Sequence, residues 1–482
     1  MRHVPAFILL SLVGLTASAQ SAVDDFEKFR SEVMGSYASF RNDILSDYAK
    51  FLDGIWEEHV RFAGESRSAR PKPKEAPVAP ARETPPAPAA LPTPKPEERK
   101  PEPADNTPAP LPDLKPAARG GASVSFDFYG LPLQIDERRL MLSRRLANGS
   151  DFAAQWRRLL NDPAAADMTA RLADLARQLG LNDYLTFELV RRYVNGRYAD
   201  SHSTARTALA HFLLTAMGFD VRPALSGGDG VLLVPVKQTV FGRPYMVMNG
   251  EKFYVFADSD NFAASNRIST CNIPENTETG RAIDMRFTRP LNLPEKPYEF
   301  NIEANGLKLS GTVNENIYPL LYRYPQTDMA VYATSVIDPA LRARLVGQLK
   351  AQLDGRPGLD AVNALLGFTQ NAFDYASDEV SHGFEKPYFI EEWLYYPQND
   401  CEDRAVFYTY MLWNVLGVEN QLLTYPGHES SSVRLDEPLN GDNYQFDGHT
   451  FYISDPTYIG ATTGMCMPDF VSESPVIEFH YK

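Results

Sequence analysis

The sequence is poor in cysteine, in basic charge and in long apolar runs, and each shortage excludes a class of protein. Three cysteines in 482 residues are too few for a disulfide-built scaffold. The net charge of −15 argues against nucleic acid or an anionic membrane surface as the main partner. No apolar run approaches the ~20 residues that a membrane-spanning helix needs. We therefore expect a chain that does not span a membrane.

The first 19 residues have the pattern of a secretory signal peptide. A basic start precedes the apolar run AFILLSLVGL, and the small residues Ala17-Ser18-Ala19 follow it. No cysteine stands after the expected cleavage at Ala19, so a lipid anchor there is not expected. The mature protein should be soluble and secreted or periplasmic. Its odd number of cysteines leaves at least one thiol unpaired within the chain, and a bond between Cys271 and Cys466 is one option.

Two segments of opposite character precede the globular part. Residues 20–64 carry apolar side chains at every third or fourth position from Phe26 to Ile55, which predicts one long amphipathic helix. Its apolar stripe has to dock on the rest of the chain, self-associate as a coiled coil or bind another partner. Residues 65–120 are rich in proline, which predicts a disordered, extended linker with few contacts to the globular part.

From residue 121 the pattern is that of an α+β protein. Apolar side chains alternate with polar ones in much of 285–326, as in a β-strand. Helical periodicity occupies 136–147, 151–160, 163–178, 182–194, 338–353 and 358–375. We therefore predict an α+β unit at 121–282, a small β-rich insert at 283–335 and a second α+β unit at 336–482.

The two α+β units repeat one sequence pattern. TALAHFLLTAMGFDVRPAL resembles AVFYTYMLWNVLGVENQLL, and NGEKFYVFADSD further on resembles DGHTFYISDPTY. Each copy predicts a buried helix, a glycine stop and a β-hairpin. Aligned on Gly218 and Gly417, the first copy places His202 opposite Cys401, with Ser203 and Thr204 just after it. Asp229 or Gly230 then falls opposite His428, so only the second copy has a thiol and a histidine in these two places.

Cys401, His428 and Asp455 are the residue types of an activated nucleophile, its base and the group that orients the base. DCEDRA places Cys401 in the first turn of a helix capped by Asp400, with Asp403 three residues on. The helix dipole favours a thiolate there, whereas the neighbouring carboxylates oppose it, so a partner base is required. TYPGH places His428 at the start of one hairpin strand, and FYISDPTY places Asp455 at the end of the returning strand.

The motifs NDCEDRA, PGH and DPTY resemble the catalytic core of the transglutaminase-like superfamily, which is related to papain-like cysteine proteases. The resemblance covers about 360–470, and the first unit looks like a degenerate copy. It implies a central helix packed on an antiparallel sheet, with Cys401 as nucleophile, His428 as general base and Asp455 as its orienter. The implied oxyanion and supporting residues are weaker assignments, namely Trp393, Tyr395, Gln398 and Asp400.

Two alternatives concern the site itself. His449 in DGHTF is a rival base, but its counterpart in the first copy is Glu251 in a hairpin turn, a poor place for a buried base. Zinc binding by His428, His449 and Asp455 would leave the thiol without a role, so neither a metal nor another cofactor is expected.

A cysteine–histidine–aspartate site performs acyl transfer, so we expect a peptidase or amidase, or a transamidase, acting on peptide or protein of the cell envelope. Hydrolysis is the default because water is the most abundant acceptor. The alternative is a binding or scaffolding protein of the envelope that has no catalytic activity.

Overall fold

The computed structural model describes residues 44–68, 71–80, 90–96, 122–258, 267–274, 277 and 279–482. The expected signal peptide, the first part of the predicted amphipathic helix and much of the predicted linker lie outside these residues.

The described residues form a mixed α/β protein whose sheets are mainly antiparallel. The helices are α1 (44–52), α2 (Gly149–Leu160), α3 (Pro163–Gln178), α4 (Asp183–Arg197), α5 (Ser203–Ala216), α6 (Tyr318–Tyr322), α7 (Met329–Ala333), α8 (Pro339–Leu353), α9 (Gly358–Asn371), α10 (Asp378–Ser381), α11 (Ile390–Trp393) and α12 (Cys401–Met411). The strands are β1 (Trp56–Val60), β2 (Lys95–Pro96), β3 (Ala122–Phe128), β4 (Leu131–Glu137), β5 (Arg222–Ser226), β6 (Asp229–Pro235), β7 (Tyr245–Met248), β8 (Glu251–Ala257), β9 (Arg267–Cys271), β10 (Pro297–Ala304), β11 (Leu307–Asn314), β12 (Asp374–Tyr375), β13 (Gln398–Asn399), β14 (Asn420–Tyr425), β15 (His428–Arg434), β16 (Asn443–Phe446), β17 (His449–Ile453) and β18 (Val476–Tyr481).

Two six-stranded sheets have the same strand order, as the internal repeat predicts. One sheet has the order β1-β9-β5-β6-β8-β7 and the other has the order β2-β18-β14-β15-β17-β16. In each sheet two successive hairpins follow a long helix. They are β5–β6 and β7–β8 after α5, and β14–β15 and β16–β17 after α12. The second hairpin turns at Asn249-Gly250 and at Asp447-Gly448, all four with positive φ, which suits the tight turn of a two-residue hairpin.

Helices α5 and α12 are the central helices of the two units. All residues of α12 are buried, as are almost all residues of α5. The charged first turn of α12 is buried with hydrogen-bond partners, and the rest of both helices is mainly apolar, as expected of a helix inside the protein. α12 is joined to its sheet by the Tyr408 hydroxyl, which lies 2.7 Å from Ser454 Oγ just after β17. One continuous apolar core links both units, from Leu45 in α1 to Tyr452 in β17.

The predicted helix over 20–64 is too long at its C-terminal end. Among the described residues the helix ends at 52, and 56–60 form β1 at the edge of the first sheet. Its apolar stripe docks on the chain itself: Tyr48 is fully buried, stacks on Trp156 with ring centroids 4.9 Å apart, and donates a hydrogen bond from its hydroxyl to Val221 O. The stripe ends at Ile55, which is 85% exposed.

The described pieces of the predicted linker are extended, as proline favours, but they are not free of the globular part. The Glu65 carbonyl accepts a backbone hydrogen bond from Gly242 N at 2.8 Å, beside the first sheet. The backbone at 77–79 pairs with Ile459, and β2 lies at the edge of the second sheet, parallel to β18. Proline lacks only the N–H, so the remaining amides and carbonyls of such a segment can still pair with a sheet edge.

The predicted insert at 283–335 contains the β10–β11 hairpin followed by α6 and α7. The hairpin lies on α8, where the Gln348 and Gln352 amides exchange hydrogen bonds with the backbone of Ser310 and Lys308. The three cysteines are buried and none is in a disulfide. No helix in the described part of the chain is long and apolar enough to cross a bilayer.

Candidate active site

Cys401 is the first residue of α12, and carboxylates surround this end of the helix. Asp400 is the N-cap residue, and its backbone N–H donates to Asp403 Oδ2 at 3.1 Å. Asp403 Oδ1 accepts a second hydrogen bond, from the backbone N–H of Tyr388. The predicted capping carboxylates are therefore in place, and Cys401 itself is completely buried.

His428 and Asp455 lie side by side, as adjacent hairpin strands predict. His428 opens β15 after the turn at Gly427, and Asp455 follows β17 by two residues. His428 Nε2 is 2.8 Å from Asp455 Oδ2. The other carboxylate oxygen, Oδ1, accepts the backbone N–H groups of Thr457 and Tyr458 at 2.8 and 3.2 Å, which fixes the carboxylate.

The remaining ring nitrogen of His428 faces no protein partner. Nδ1 is buried and has no hydrogen-bond partner among the described residues, and the ring lies flat against Phe470, with centroids 5.0 Å apart. If Nε2 carries the proton that is donated to Asp455, Nδ1 has a free lone pair and can accept a proton. This is the tautomer that a general base requires.

Cys401 and His428 line one cavity of about 220 Å³. The described residues that line it are Ser66, Arg67, Ser68, Pro71, Lys72, Gln326, Glu385, Cys401, Glu402, Thr424, Tyr425, Gly427, His428 and Glu429. The cavity thus lies between the N-terminus of α12 and the β14–β15 turn. Cys401 and His428, which belong to separate motifs of the sequence, meet there.

Burial and negative charge hold the thiol in its protonated form. Burial raises the pKa of Cys401 well above its usual value, and Glu402 and Asp400 raise it further. Lys72 and the backbone N–H of Glu429 act in the opposite direction. The Sγ atom lies 3.2 Å from Glu402 Oε2, to which the thiol proton can be donated. Ionisation of Cys401 therefore needs a proton acceptor or a change in these surroundings.

The first unit repeats this arrangement with other residue types. Ser203 is the first residue of α5, and its hydroxyl donates to Asp229 Oδ1 at 2.8 Å. Asp229 opens β6 as His428 opens β15, and Gly230 N donates to Ser203 Oγ. The counterpart of Asp455 is Ala257, because β6 pairs with β8 in the register in which β15 pairs with β17. This site has no thiol, and its imidazole is that of the neighbouring His202, whose Nδ1 lies 3.4 Å from Ser203 Oγ, with no histidine in the place of His428.

The alignment that places His202 opposite Cys401 is wrong by one residue. His202 is the N-cap of α5, the position that Asp400 holds in α12. One more residue lies between Cys401 and Gly417 than between Ser203 and Gly218, because Leu412–Leu416 form a π-helical turn. A π-turn absorbs one extra residue without moving the rest of the helix. The sequence gives no simple signal for it.

The other candidates lie outside the cavity. His449 is exposed at the first position of β17. Trp393 is buried in the core, where it stacks face to face on Phe407. Tyr395 stacks on Tyr318, and Gln398 pairs with Asp374 in the short β12–β13 ladder. None of these four lines the cavity. They support the fold around α12, and Asp400 is the one supporting candidate that lies beside the thiol.

Residues of the predicted linker cover the cavity, which the sequence analysis missed. Arg67 Nη2 donates to Glu429 and to Thr424 Oγ1, and the Gly427 N–H donates to Ser68 Oγ at 3.0 Å. Lys72 reaches the carboxylates at the other side, next to Cys401. The basic residues of this segment and the acidic run DCED are both visible in the sequence, but no local pattern pairs residues that lie 328 positions apart.

Three groups of carboxylate and thiol ligands near Lys72 have the spacing of a metal site. Asp400, Cys401 and Glu402 place their ligand atoms within 4.8 Å of one another, and two further groups combine Asp378 with neighbouring carboxylates. The Lys72 ammonium already supplies a positive charge to Asp378, Asp400 and Glu402. The set of His428, His449 and Asp455 is not brought together, since His449 lies at the exposed end of its hairpin.

Comparison of the chain with protein-family models, with curated proteins and with solved structures finds no match.

Proposed function

We propose that the protein transfers acyl groups from amide bonds through Cys401, as a peptidase or amidase or as a transamidase, on a transglutaminase-like core. The observation that carries the proposal is the common cavity of Cys401 and His428, with His428 held by Asp455 and its Nδ1 without a hydrogen-bond partner among the described residues. The packing of α12 on an antiparallel sheet agrees with such a core.

The chemistry assigns one role to each side chain. His428 Nδ1 takes the thiol proton of Cys401, and the Sγ lone pair attacks the amide carbonyl carbon. The imidazolium returns this proton to the nitrogen of the leaving amine as the C–N bond breaks, which leaves a thioester on Sγ. Water or an amine then attacks the thioester and His428 accepts its proton. The C–S bond breaks, which releases the carboxylic acid or the new amide, and the imidazolium returns the proton to Sγ. Asp455 stabilises the imidazolium and fixes the ring orientation throughout.

The acyl acceptor and the cellular location of the protein are parts of the same proposal. Water is the default acceptor because it is the most abundant one, so hydrolysis is favoured over transamidation. The signal-peptide pattern at 1–19 supports a secreted or periplasmic enzyme, with peptide or protein of the cell envelope as substrate.

The electrostatics of the thiol favour a second candidate. A thiol whose pKa is raised by burial and by Glu402 and Asp400 is a poor nucleophile as it stands. If Cys401 never ionises, the two units form a binding or scaffolding protein of the envelope.

Alkylation of the three thiols by iodoacetamide separates the two candidates. The rates are measured against pH in the mature chain by peptide mapping, with Cys271 and Cys466 as internal references, since burial raises their pKa values to about 11 and about 12. The reagent reaches Cys401 only when the covering segment lifts, so its profile reports the open cavity. We expect Cys401 to react with an apparent pKa below about 7 in the wild type and in His449→Ala.

In His428→Ala the profile should move up to about 8.5, the value of a free thiol. A Cys401 that reacts no faster than Cys466, with equal profiles in both histidine variants, would instead support the scaffold.

A further inference from the structure

The segment that covers the cavity makes charged contacts on both of its sides. At one side Arg67 lies in a buried pocket, bonded to Glu429 and 3.3 Å from Glu478 Oε1. At the other side Lys72 lies beside Cys401, and the Tyr375 hydroxyl donates to Pro73 O at 2.8 Å. The described residues 66–68, Pro71 and Lys72 line the same cavity as the thiol and the imidazole. They therefore occupy space that an amide substrate would need in order to reach Cys401.

Lys72 is held by four carboxylates. Its Nζ lies 2.9 Å from Asp400 Oδ2, 3.3 Å from Asp378 Oδ2 and 2.6 Å from Glu385 Oε2, and it bonds to Glu402 Oε1. Only 14% of the Lys72 side chain is exposed, and Asp378, Asp400 and Glu402 are buried, whereas half of Glu385 is exposed. We call Asp378, Glu385, Asp400 and Glu402 the acidic pocket.

The acidic pocket needs a cation. Within the described residues no other Lys or Arg pairs with Asp378, Asp400 or Glu402. Asp400 Oδ1 is buried and has no hydrogen-bond partner there either. Buried carboxylates that lose their counter-ion remain as uncompensated charges or take up protons, and both outcomes are costly. When Lys72 leaves, another cation is strongly favoured in its place.

The pocket anchors an ammonium group and does not activate it. Burial by itself lowers the pKa of Lys72, but Asp400, Glu402 and Asp378 outweigh it and raise the pKa well above its usual value. The group therefore stays protonated and has no lone pair with which to attack an acyl group. A charged, hydrogen-bonded side chain held this way is a recognition contact.

We propose that the acidic pocket is a specificity pocket for a lysine-type side chain in an extended basic peptide, and that Lys72 occupies it as an internal competitor. Calling such a peptide a substrate rests on the proposed function, whereas its binding in the cavity does not. The cavity is accessible once Lys72 leaves the pocket.

The first test compares two lysines of the segment in the mature chain. Lys72→Met removes the cation from the pocket, while Lys74→Met changes an exposed lysine two residues away. We expect Lys72→Met to raise the iodoacetamide rate of Cys401 at least tenfold relative to Cys271, and Lys74→Met to change it less than twofold. Equal rates in the two variants would overturn the proposal.

A second pair of variants keeps the test valid if Lys72→Met does not fold. Glu385 is half exposed, so Glu385→Gln weakens the contact with Lys72 at little risk to the fold. We expect a two- to fivefold rise in the Cys401 rate. The exposed neighbour Glu379 contacts no part of the segment in the described structure, and Glu379→Gln should leave the rate unchanged. The same rate in both variants argues against the pocket.

The peptide itself is the third probe. An acetylated and amidated peptide with the sequence of residues 66–74 should bind to the Lys72→Met chain and return its Cys401 rate to the wild-type value. A peptide with methionine at position 72 should bind at least tenfold more weakly, and one with methionine at position 74 should bind like the parent. Peptides that bind equally well, or none that binds, would refute the specificity pocket.

The two proposals fail in different ways. If the parent peptide binds with the predicted preference but the Cys401 profile does not depend on His428, the pocket stands and catalysis fails. If the profile depends on His428 but Lys72→Met and the peptides have no effect, catalysis stands and the pocket fails. Peptide binding is also measured in Lys72→Met combined with Cys401→Ser, which has no nucleophilic thiol.

Discussion

The two hydrogen-bonded pairs Ser203–Asp229 and His428–Asp455 show what distinguishes the two units at the scale of single residues. In both units a small nucleophilic side chain, Ser203 or Cys401, begins the central helix. A polar side chain, Asp229 or His428, begins the second strand after that helix. Only the second unit adds an imidazole held by a carboxylate. The sequence predicted that His428 and Asp455 lie side by side, because both stand in local hairpin motifs. It could not predict Lys72 and Arg67, whose partners lie over 300 residues away.

Replacing Asp455 tests the orienting role. Asp455→Asn keeps the size of the side chain but can present an amide N–H to His428 Nε2, which disfavours the tautomer with a free Nδ1. We expect the Cys401 alkylation rate at pH 7 to fall about tenfold or more, with an unchanged circular dichroism spectrum. Ser203→Ala is the matched control in the first unit and should leave the rate unchanged. A loss of the same depth in Ser203→Ala would show that the first unit contributes to the site.

Glu391 in α11 should make the protein less stable as the pH rises. Burial raises the pKa of Glu391 to about 7, above the ~4.3 of a glutamate in an unfolded chain. Between these values the folded state binds more protons than the unfolded state, so its contribution to stability falls with increasing pH. Glu391→Gln removes this titration. Its free energy of unfolding should match that of the wild type near pH 4 and exceed it by about 2 kcal/mol at pH 8.

Urea denaturation at both pH values measures this difference. Glu299→Gln, at an exposed position, is the control and should show no pH-dependent difference from the wild type. An advantage of Glu391→Gln that is the same at pH 4 and pH 8 would contradict the assignment to a buried ionisation.

At the scale of elements, long periodic helices were predictable and irregular segments were not. The helices predicted at 151–160, 163–178, 182–194, 338–353 and 358–375 are confirmed as α2, α3, α4, α8 and α9, the last ending at Asn371. The helix predicted at 136–147 is wrong: the chain there leaves β4 and is irregular. Its amides bond to side chains of other elements, Leu140 N to the Tyr198 hydroxyl and Leu146 N to Thr204 Oγ1. Such tertiary partners are invisible to local periodicity.

Helix α1 should contribute to the stability of the globular part, on which its apolar stripe docks. Tyr48→Ala removes a buried ring that stacks on Trp156, and large aromatic-to-alanine changes in cores cost ~3–5 kcal/mol. We expect a loss of that size in urea denaturation of the mature chain. Ile55→Ala lies on the same predicted stripe but is exposed, so it should cost less than about 0.5 kcal/mol. Equal losses would show that α1 does not dock as described.

At the scale of the whole molecule, the two units share one apolar core, and the N-terminal chain joins their sheets at equivalent edges. β1 extends the first sheet beside β9, and β2 extends the second sheet beside β18. The sequence predicted the duplication, since each copy repeats a helix, a glycine and a hairpin. It did not predict that the N-terminal chain adds an edge strand to each sheet, because a proline-rich segment has no periodicity that reveals a partner strand.

The position of β2 beside β18 has a consequence for the order in which the molecule is completed. The Ser474 hydroxyl bonds to Thr93 O, a contact between residues 381 positions apart in the sequence. Residues near 93 leave the ribosome well before their partner, which is made 381 residues later. Contacts of such separation form late, since the chain between them must be ordered first. The contacts of Lys72 with Asp400 and of Arg67 with Glu429 span 328 and 362 residues, so the growing chain carries Cys401 in an uncovered cavity until the residues that hold the covering segment have been made.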